Sequence, residues 1–507
     1  MTNHLYDGLL AVGATTPDKT FALLPGGRRF TYGEVGTVSA RLAHALLAAG
    51  LQPGDRVAVQ AEKSLEALML YLATVRAGGV FLPLNTAYTA TEIDYFLSDA
   101  TPRIFVCDPR EVGELTRVAE KVGAKVETLA ADGSGSLANA AETQSTSFTN
   151  VARVPGDLAS ILYTSGTTGR SKGAMLTHAN LLSNAEVLRD TWRFTADDVL
   201  LHALPIFHTH GLFVASNTVT IAGGAMIFLP KFDPDAVFAH LPEATTMMGV
   251  PTFYTRLLAD PRLTPAATGH IRLFTSGSAP LLAETHRAFE ARTGQRILER
   301  YGMTETNMNT SNPYDGERRP GTVGMPLPGV DLQIADPETG APLPQGEIGV
   351  IEVKGPNVFA GYWQMPEKTA SEFRDGWFIT GDLGQIDADG YVAIVGRGKD
   401  LIISGGFNIY PKEIELAIDE LPGVAESAVI GVPHADFGEG VVGVVVTNGE
   451  TSETEIITAL GQRLARFKQP KRIVFVDELP RNTMGKVQKN LLRDRFADLL
   501  GDSRKAG

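Results

Sequence analysis

The sequence predicts an α/β fold: a large N-terminal domain of sheets layered with helices plus a β subdomain, then a small α+β C-terminal domain. Three observations carry this. The first third of the chain alternates strand and helix signals. From Gly321 onward the pattern changes to short strands separated by Gly and Pro turns. At 507 residues the chain is too long for one ordinary hydrophobic core, so two or more domains are expected.

Taken in order, Arg56 to Gln60 reads as a strand after the turn Pro53-Gly54-Asp55. Leu65 to Ala77 reads as a helix closed by Gly78-Gly79, and Val80 to Leu84 as the next strand. Glu92 to Ser98 is helical, and Arg103 to Cys107 is again a strand. The small and polar run from Gly133 to Thr149 reads as a surface loop. Val330 to Ala335 and Gly349 to Lys354 belong to the β region. After Gly396-Arg397-Gly398-Lys399-Asp400 comes helix Pro411 to Glu420. Strands Ala425 to Val432 and Val441 to Thr447, helix Glu453 to Leu464 and strand Arg472 to Val476 follow. A boundary at Lys399 gives domains of residues 1–398 and 399–507.

Composition excludes several function classes. Hydrophobic residues make up 43% and charged residues 20%, the balance of a soluble globular protein. A formal net charge of -13 argues against nucleic-acid binding, which needs a broad basic face. Any anionic substrate must then be held by local positive sites. The single cysteine, Cys107, cannot form an internal disulfide and reads as a small core residue. Met1-Thr2-Asn3-His4 carries no signal-peptide pattern. Val199 to Pro230 lacks charged side chains, but Pro205, three histidines, Asn217 and Gly223-Gly224 interrupt it. A buried helix followed by a buried strand is expected there rather than a membrane span. The expectation is a cytoplasmic enzyme with no membrane partner.

The sharpest segment is Tyr163-Thr164-Ser165-Gly166-Thr167-Thr168-Gly169-Arg170-Ser171-Lys172-Gly173. Glycines let backbone N–H groups turn toward an anion, hydroxyls donate further bonds, and the cations neutralise charge. Such a loop suits a polyphosphate, and a solvated polar hairpin is the plain alternative. It is not a Walker loop, because Ser171 stands where glycine is needed and a strand follows. The formal G-x-S-x-G match around Ser171 lacks the strand–turn–helix setting of a hydrolase nucleophile.

Four further motifs follow: Tyr301-Gly302-Met303-Thr304-Glu305, Thr380-Gly381-Asp382, Gly396-Arg397-Gly398-Lys399-Asp400, and Pro480-Arg481-Asn482-Thr483-Met484-Gly485-Lys486. In order, spacing and residue type the set resembles the adenylate-forming superfamily of acyl-coenzyme A synthetases, luciferases and nonribosomal peptide adenylation domains. The resemblance runs from about residue 10 to residue 496.

This resemblance implies an enzyme that uses ATP with Mg²⁺ and transfers an acyl group to coenzyme A, with a mobile C-terminal domain. It implies that Thr164, Ser165, Gly166, Thr167, Thr168 and Gly169, with Lys172, wrap the phosphates. Glu305 and Thr164 would hold Mg²⁺. Gly277, Ser278, Ala279, Tyr301, Gly302, Met303 and Thr304 would flank adenine, while Asp382 and Arg397 would take the ribose. Lys399 would be the hinge. Lys486 would bind the reacting carboxylate and the α-phosphate. Ser404, Gly405, Gly406 and Phe407 would line the coenzyme A tunnel, with His208 at its mouth. Taken singly, each group has an ordinary alternative as a surface lysine, a cap or a solvated charge. His202 and His210 read as core or hydrogen-bonding histidines.

The chemistry needs such groups. A carboxylate oxygen must attack the α-phosphorus and expel pyrophosphate, so two anions have to meet. Fixed cations and positioning are the expected contribution. For the acid, the resemblance adds His208 and Ser278 to two arginines: Arg256 is the only charge in an apolar stretch, and Arg300 precedes Tyr301-Gly302. A pair of arginines would fork onto a second carboxylate, unless Arg256 snorkels and Arg300 pairs with an acid such as Glu299 or Glu305. Phe207-His208-Thr209-His210-Gly211, Val250-Pro251-Thr252 and Glu299 to Glu305 look like malonyl-coenzyme A synthetases. That implies malonate, with methylmalonate tolerated less well. The alternatives are another short carboxylic acid, or a stand-alone adenylation enzyme that loads a carrier protein. In this superfamily the lysine at the Lys486 position can be acetylated, which implies a lysine acetyltransferase as a partner.

Overall fold

The computed structural model describes residues 2–164, 171–404, 407–434, 437–482 and 485–500. It divides into two compact units. The first comprises residues 1–320, 324–331 and 353–378, and the second residues 321–323, 332–352 and 379–507.

The first unit contains two large sheets. One runs in the order Lys125–Thr128, Ile104–Cys107, Arg56–Gln60, Val80–Pro83, Leu158–Thr164, Lys172–Thr177. Its first five strands are parallel, and the last returns antiparallel as a hairpin. The two strands expected on either side of residues 165–170 are therefore present. The strands are buried runs, as parallel strands covered on both faces must be. Cys107 lies in the core beside this sheet with Leu82, Phe96 and Phe105. The helix Leu65–Arg76 is opened by the Ser64 side chain, which accepts from the Ala67 N–H, and is followed by Gly78 at φ 81°.

The second sheet runs Met325–Pro326, Asn307–Ser311, Leu298–Met303, Leu273–Ser276, Thr246–Gly249, Val199–His202, Ala225–Phe228, Thr20–Leu23, Arg29–Thr31. Its inner strands are parallel. Their core is built from Leu201, Ile227, Met247, Tyr254, Phe274 and Phe289. Two expectations differ here. The uncharged run opens with the strand Val199–His202, passes through a π-helix His210–Asn217 and ends in the strand Ala225–Phe228. The Gly133 to Thr149 segment holds a helix, Ser136–Glu142, anchored by buried Leu137 and Ala141. Its flanking glycines and serines conceal those two contacts in the sequence. Among the described residues no helix is long and apolar enough to cross a membrane.

In the second unit, the sheet Phe407–Ile409, Ile402–Ser404, Gly438–Thr447, Val424–His434 carries Arg472–Phe475 along Gly438–Thr447. Ile414, Ile418 and Leu460 pack with Val429 and Val445 in one core, and Leu479 and Leu492 with Val432 and Val442 in another. The second unit also takes in Leu332–Glu352 and Ile379 onward. The second unit contains the whole of residues 399–507 and extends beyond them. Val392–Arg397 pairs with the Asp382–Ile386 part of Trp377–Ile386, which keeps that ladder in one body.

Candidate active site

Parallel α/β sheets bind ligands beyond the carboxyl ends of their strands. In the second sheet, neighbouring strands align Met248 with His202, Gly249 with Ser276, and Ser276 with Glu299. The residues just past that edge are the His208 to Gly211 segment, Gly277-Ser278 and Arg300. The register therefore gathers side chains drawn from across roughly a hundred residues of sequence.

Arg300 is 3% exposed, and its Nε and Nη2 have no hydrogen-bond partner among the described residues. Burial pulls its guanidinium down to about 9, against the opposing pull of Tyr254 and Glu299. The expected alternative, a closed ion pair with a neighbouring acid, is not formed among the described residues. Leaving a guanidinium so placed is costly unless an anion meets it. Gly277 makes room for it, since a Cβ there would lie 2.4 Å from the Arg300 Cζ. Ser278 follows in the left-handed region at φ 70°, a conformation that costs a non-glycine residue about 1 kcal/mol. Its Oγ is 3.1 Å from the His210 Nδ1.

The sequence reading left His210 out of the site. It is 1% exposed, and its Nε2 has no partner among the described residues. Burial first, then Arg300, His208 and His202, keep its ring neutral. The His210 backbone N–H donates to the His208 Nδ1 at 3.2 Å, so the two histidines share one turn. Arg256 stands apart from this buried group. The helix Pro251–Leu258 turns Tyr254 and Leu257 inward and leaves Arg256 exposed, with no ion pair among the described residues. The two arginines are therefore not a buried pair.

Glu305 is 5% exposed, and its Oε1 accepts from the Tyr362 hydroxyl at 3.0 Å. Lys172 lies 4.1 Å from the Tyr362 ring centroid and 3.6 Å from the Glu372 carboxylate. Thr164 ends its strand, half-buried. Ser165, Gly166, Thr167, Thr168 and Gly169 lie outside the described residues. No group of three or more acidic, His or Cys side chains suited to a metal occurs among the described residues. A buried carboxylate such as that of Glu305 is a donor suited to a hard cation held chiefly by substrate phosphates and water, and in that respect it fits Mg²⁺. Tyr301 is buried, while Gly302, Met303, Thr304 and Ala279 are half-buried. A Cβ at 302 would lie 1.9 Å from the Asn307 carbonyl oxygen, so only glycine fits there.

In the second unit, Asp382 and Arg397 sit opposite each other on paired strands, Oδ1 to Nε at 2.7 Å. Lys399 lies in the short helix Gly398–Asp400. Lys486 is exposed in area yet ringed by protein. That crowding, with Arg397 nearby, holds its ammonium at about 8, while Asp382 pulls the other way. Ser404 is buried and Phe407 is exposed, its ring stacked on Phe467 at 4.5 Å. Gly405 and Gly406 lie outside the described residues.

Residues 10–363 match the AMP-binding enzyme family, and residues 413–486 match the AMP-binding enzyme C-terminal domain. The crystal structure of ATP-bound MatB from Rhodopseudomonas palustris superposes with a TM-score of 0.97 at 63% identity, covering 99% of this chain and 100% of that one. A feruloyl-CoA synthase of Amycolatopsis sp is 38% identical, over 94% of this chain and 96% of its own length. A malonate–CoA ligase of Arabidopsis thaliana is 33% identical, over 93% and 85%. The chain belongs to the AMP-binding enzyme family, as an acyl-CoA synthetase.

Proposed function

We propose that the chain converts ATP, malonate and coenzyme A into malonyl-CoA, AMP and diphosphate through a malonyl-adenylate, with methylmalonate accepted less well. The observation that carries this reading is Arg300: a buried guanidinium with two unpartnered nitrogens, beside Ser278 and His210. A second carboxylate, one methylene from the reacting one, supplies the missing anion. The likeness to the Arabidopsis malonate–CoA ligase points the same way. The likeness to a feruloyl-CoA synthase does not. A ferulate ring would leave Arg300 buried and uncompensated, a penalty of several kcal/mol. Exposed Arg256 adds a second cation outside the buried group.

Lys486 orients the reacting carboxylate against the α-phosphate and holds its proton on Nζ throughout. Asp382 accepts the ribose hydroxyls, and Arg397 fixes the Asp382 carboxylate. Glu305 and Thr164 would hold Mg²⁺, which when bound neutralises charge on the phosphates. Attack of the coenzyme A thiol on the acyl carbon then releases AMP. The domain assignment, with the catalytic lysine carried by residues 399–507, and a cytoplasmic setting are part of the same proposal.

Pyrophosphate release over a panel of mono- and dicarboxylic acids tests it. Malonate should give the highest kcat/KM, ahead of methylmalonate, acetate and ferulate. A monoacid that matches malonate overturns the assignment.

A further inference from the structure

Lys63 and His202 are 139 residues apart in sequence and meet in the first unit. The Lys63 Nζ donates to the His202 carbonyl oxygen at 2.8 Å and lies 3.0 Å from the His202 Nδ1. It also sits 4.3 Å from the centroid of the Phe228 ring. Burial holds its ammonium well below the ordinary lysine range, and no acid offsets that burial.

His202 is fully buried. Its Nε2 lies 2.9 Å from the Gly211 carbonyl oxygen and 3.1 Å from the Ser216 Oγ, which itself donates to that carbonyl. A carbonyl only accepts, so the His202 Nε2 carries the proton and Nδ1 is the acceptor for Lys63. Donation from the Lys63 Nζ to the His202 carbonyl oxygen and to Nδ1 favours this tautomer and this ring orientation over the alternatives.

This chain of bonds ends on the active-site segment. The Gly211 position tolerates no side chain, because a Cβ there would lie 2.0 Å from the Pro205 carbonyl oxygen. One residue before it, His210 meets Ser278, and the Leu212 N–H donates to the His208 carbonyl. A neutral donor would satisfy the His202 carbonyl at less desolvation cost than a lysine without a counter-ion. What the lysine adds is a favoured direction for the hydrogen bond into Gly211.

We propose that Lys63 and His202 form a positioning couple that sets the His208 to Gly211 segment beside Ser278 and Arg300 for the incoming acid. The proposal rests on the acid-site reading given above. Lys63 touches no substrate in it and acts through His202 and Gly211.

The test compares Lys63→Met and Lys63→Arg with the wild-type enzyme in acid-dependent pyrophosphate release, titrating acid and ATP separately. The acid is whichever the panel above ranks first, so a failed malonate assignment leaves this comparison intact. Lys63→Met should raise the acid KM by about tenfold or more and leave the ATP KM within about twofold. Lys63→Arg, which keeps a charged donor, should recover most of the loss. Should Lys63→Met not fold, Lys63→Gln, a donor without charge, carries the same comparison. Equal rises in both KM values, or a lowered melting temperature with wild-type acid KM, overturn the proposal and leave Lys63 a half-buried structural lysine.

Discussion

The His210 Nδ1 lies 3.1 Å from the Ser278 Oγ, and Ser278 holds that contact from a left-handed backbone at φ 70°. Strain of this kind persists where the surrounding structure over-determines it. Ser278→Gly relieves the backbone and removes the hydroxyl, whereas Ser278→Ala removes the hydroxyl alone. Both should weaken malonate use by about tenfold, and the Gly variant should melt higher than the Ala variant. A Gly variant with wild-type malonate kinetics would remove the hydroxyl from the acid site.

In the proposed acid site, Arg300 would exchange stability for recognition. Replacing a buried, uncompensated charge with an apolar side chain of similar length tends to stabilise a fold. Arg300→Met should therefore raise the melting temperature of the ligand-free protein by a few degrees. It should also raise the malonate KM on the order of 10²-fold, with ATP binding nearly unchanged. Arg256 is exposed, so Arg256→Ala removes a solvent-screened cation and should cost malonate binding less than the Arg300 change. A melting curve and a malonate titration on each variant check both statements. An Arg300→Met protein that melts lower would mean a partner already satisfies the guanidinium.

Local chemistry made the motif residues legible before any coordinates. Gly302 was marked by its motif, and the structure shows why only glycine fits there. The paired strands Leu158–Thr164 and Lys172–Thr177 followed from two apolar runs flanking a Gly-, Ser- and Thr-rich sequence. Sheet register was not legible. His202, His210, Ser278 and Arg300 come together because parallel strands align their carboxyl ends, and no local pattern encodes which strands are neighbours. Lys63 lies on the other sheet's strand–helix connection, so its partner could not be read from spacing. The different exposure of Arg256 and Arg300 has the same origin, since one faces out from a helix and the other lies within a central strand.

Buried neutral histidines give the fold a pH dependence with a definite sign. Burial, and secondarily Arg153, lower His178 to about 4. Burial with Lys63 lowers His202, and burial with Arg300 lowers His210. Each of these rings binds a proton more weakly folded than unfolded. Their stabilising contribution is thus complete above the unfolded value of about 6.5. It is lost as pH falls through 6.5 toward 4, at up to about 1.4 kcal/mol per pH unit for each ring. Melting temperatures measured from pH 8 to pH 4.5 should hold steady to about 6.5 and then fall. His178→Gln should reduce the slope.

In the proposed reaction Lys486 should give a basic limb, because its ammonium would have to carry the proton to draw the acid carboxylate and the α-phosphate together. Crowding, then Arg397, hold it at about 8 in the free protein. The protonated form is complete below that value and is lost above it. The kcat/KM for the acid should therefore fall as pH rises through about 8, approaching tenfold per unit. Kcat should fall at higher pH, because a bound anion pulls the ammonium upward again. Arg397→Ala removes a repelling cation and should move the kcat/KM limb upward. Lys486→Ala should lower adenylation by about 10² to 10³ and abolish the limb near 8. Lys486→Gln, which mimics the charge loss of acetylation, should do the same. Burial lowers the Arg300 guanidinium, but an arginine stays charged over this range, so the profile of the Lys486 variants should be flat there. Pyrophosphate-release profiles from pH 6 to pH 9.5 check this. A limb near 8 that persists without the lysine would assign that proton elsewhere and remove Lys486 from the adenylation step.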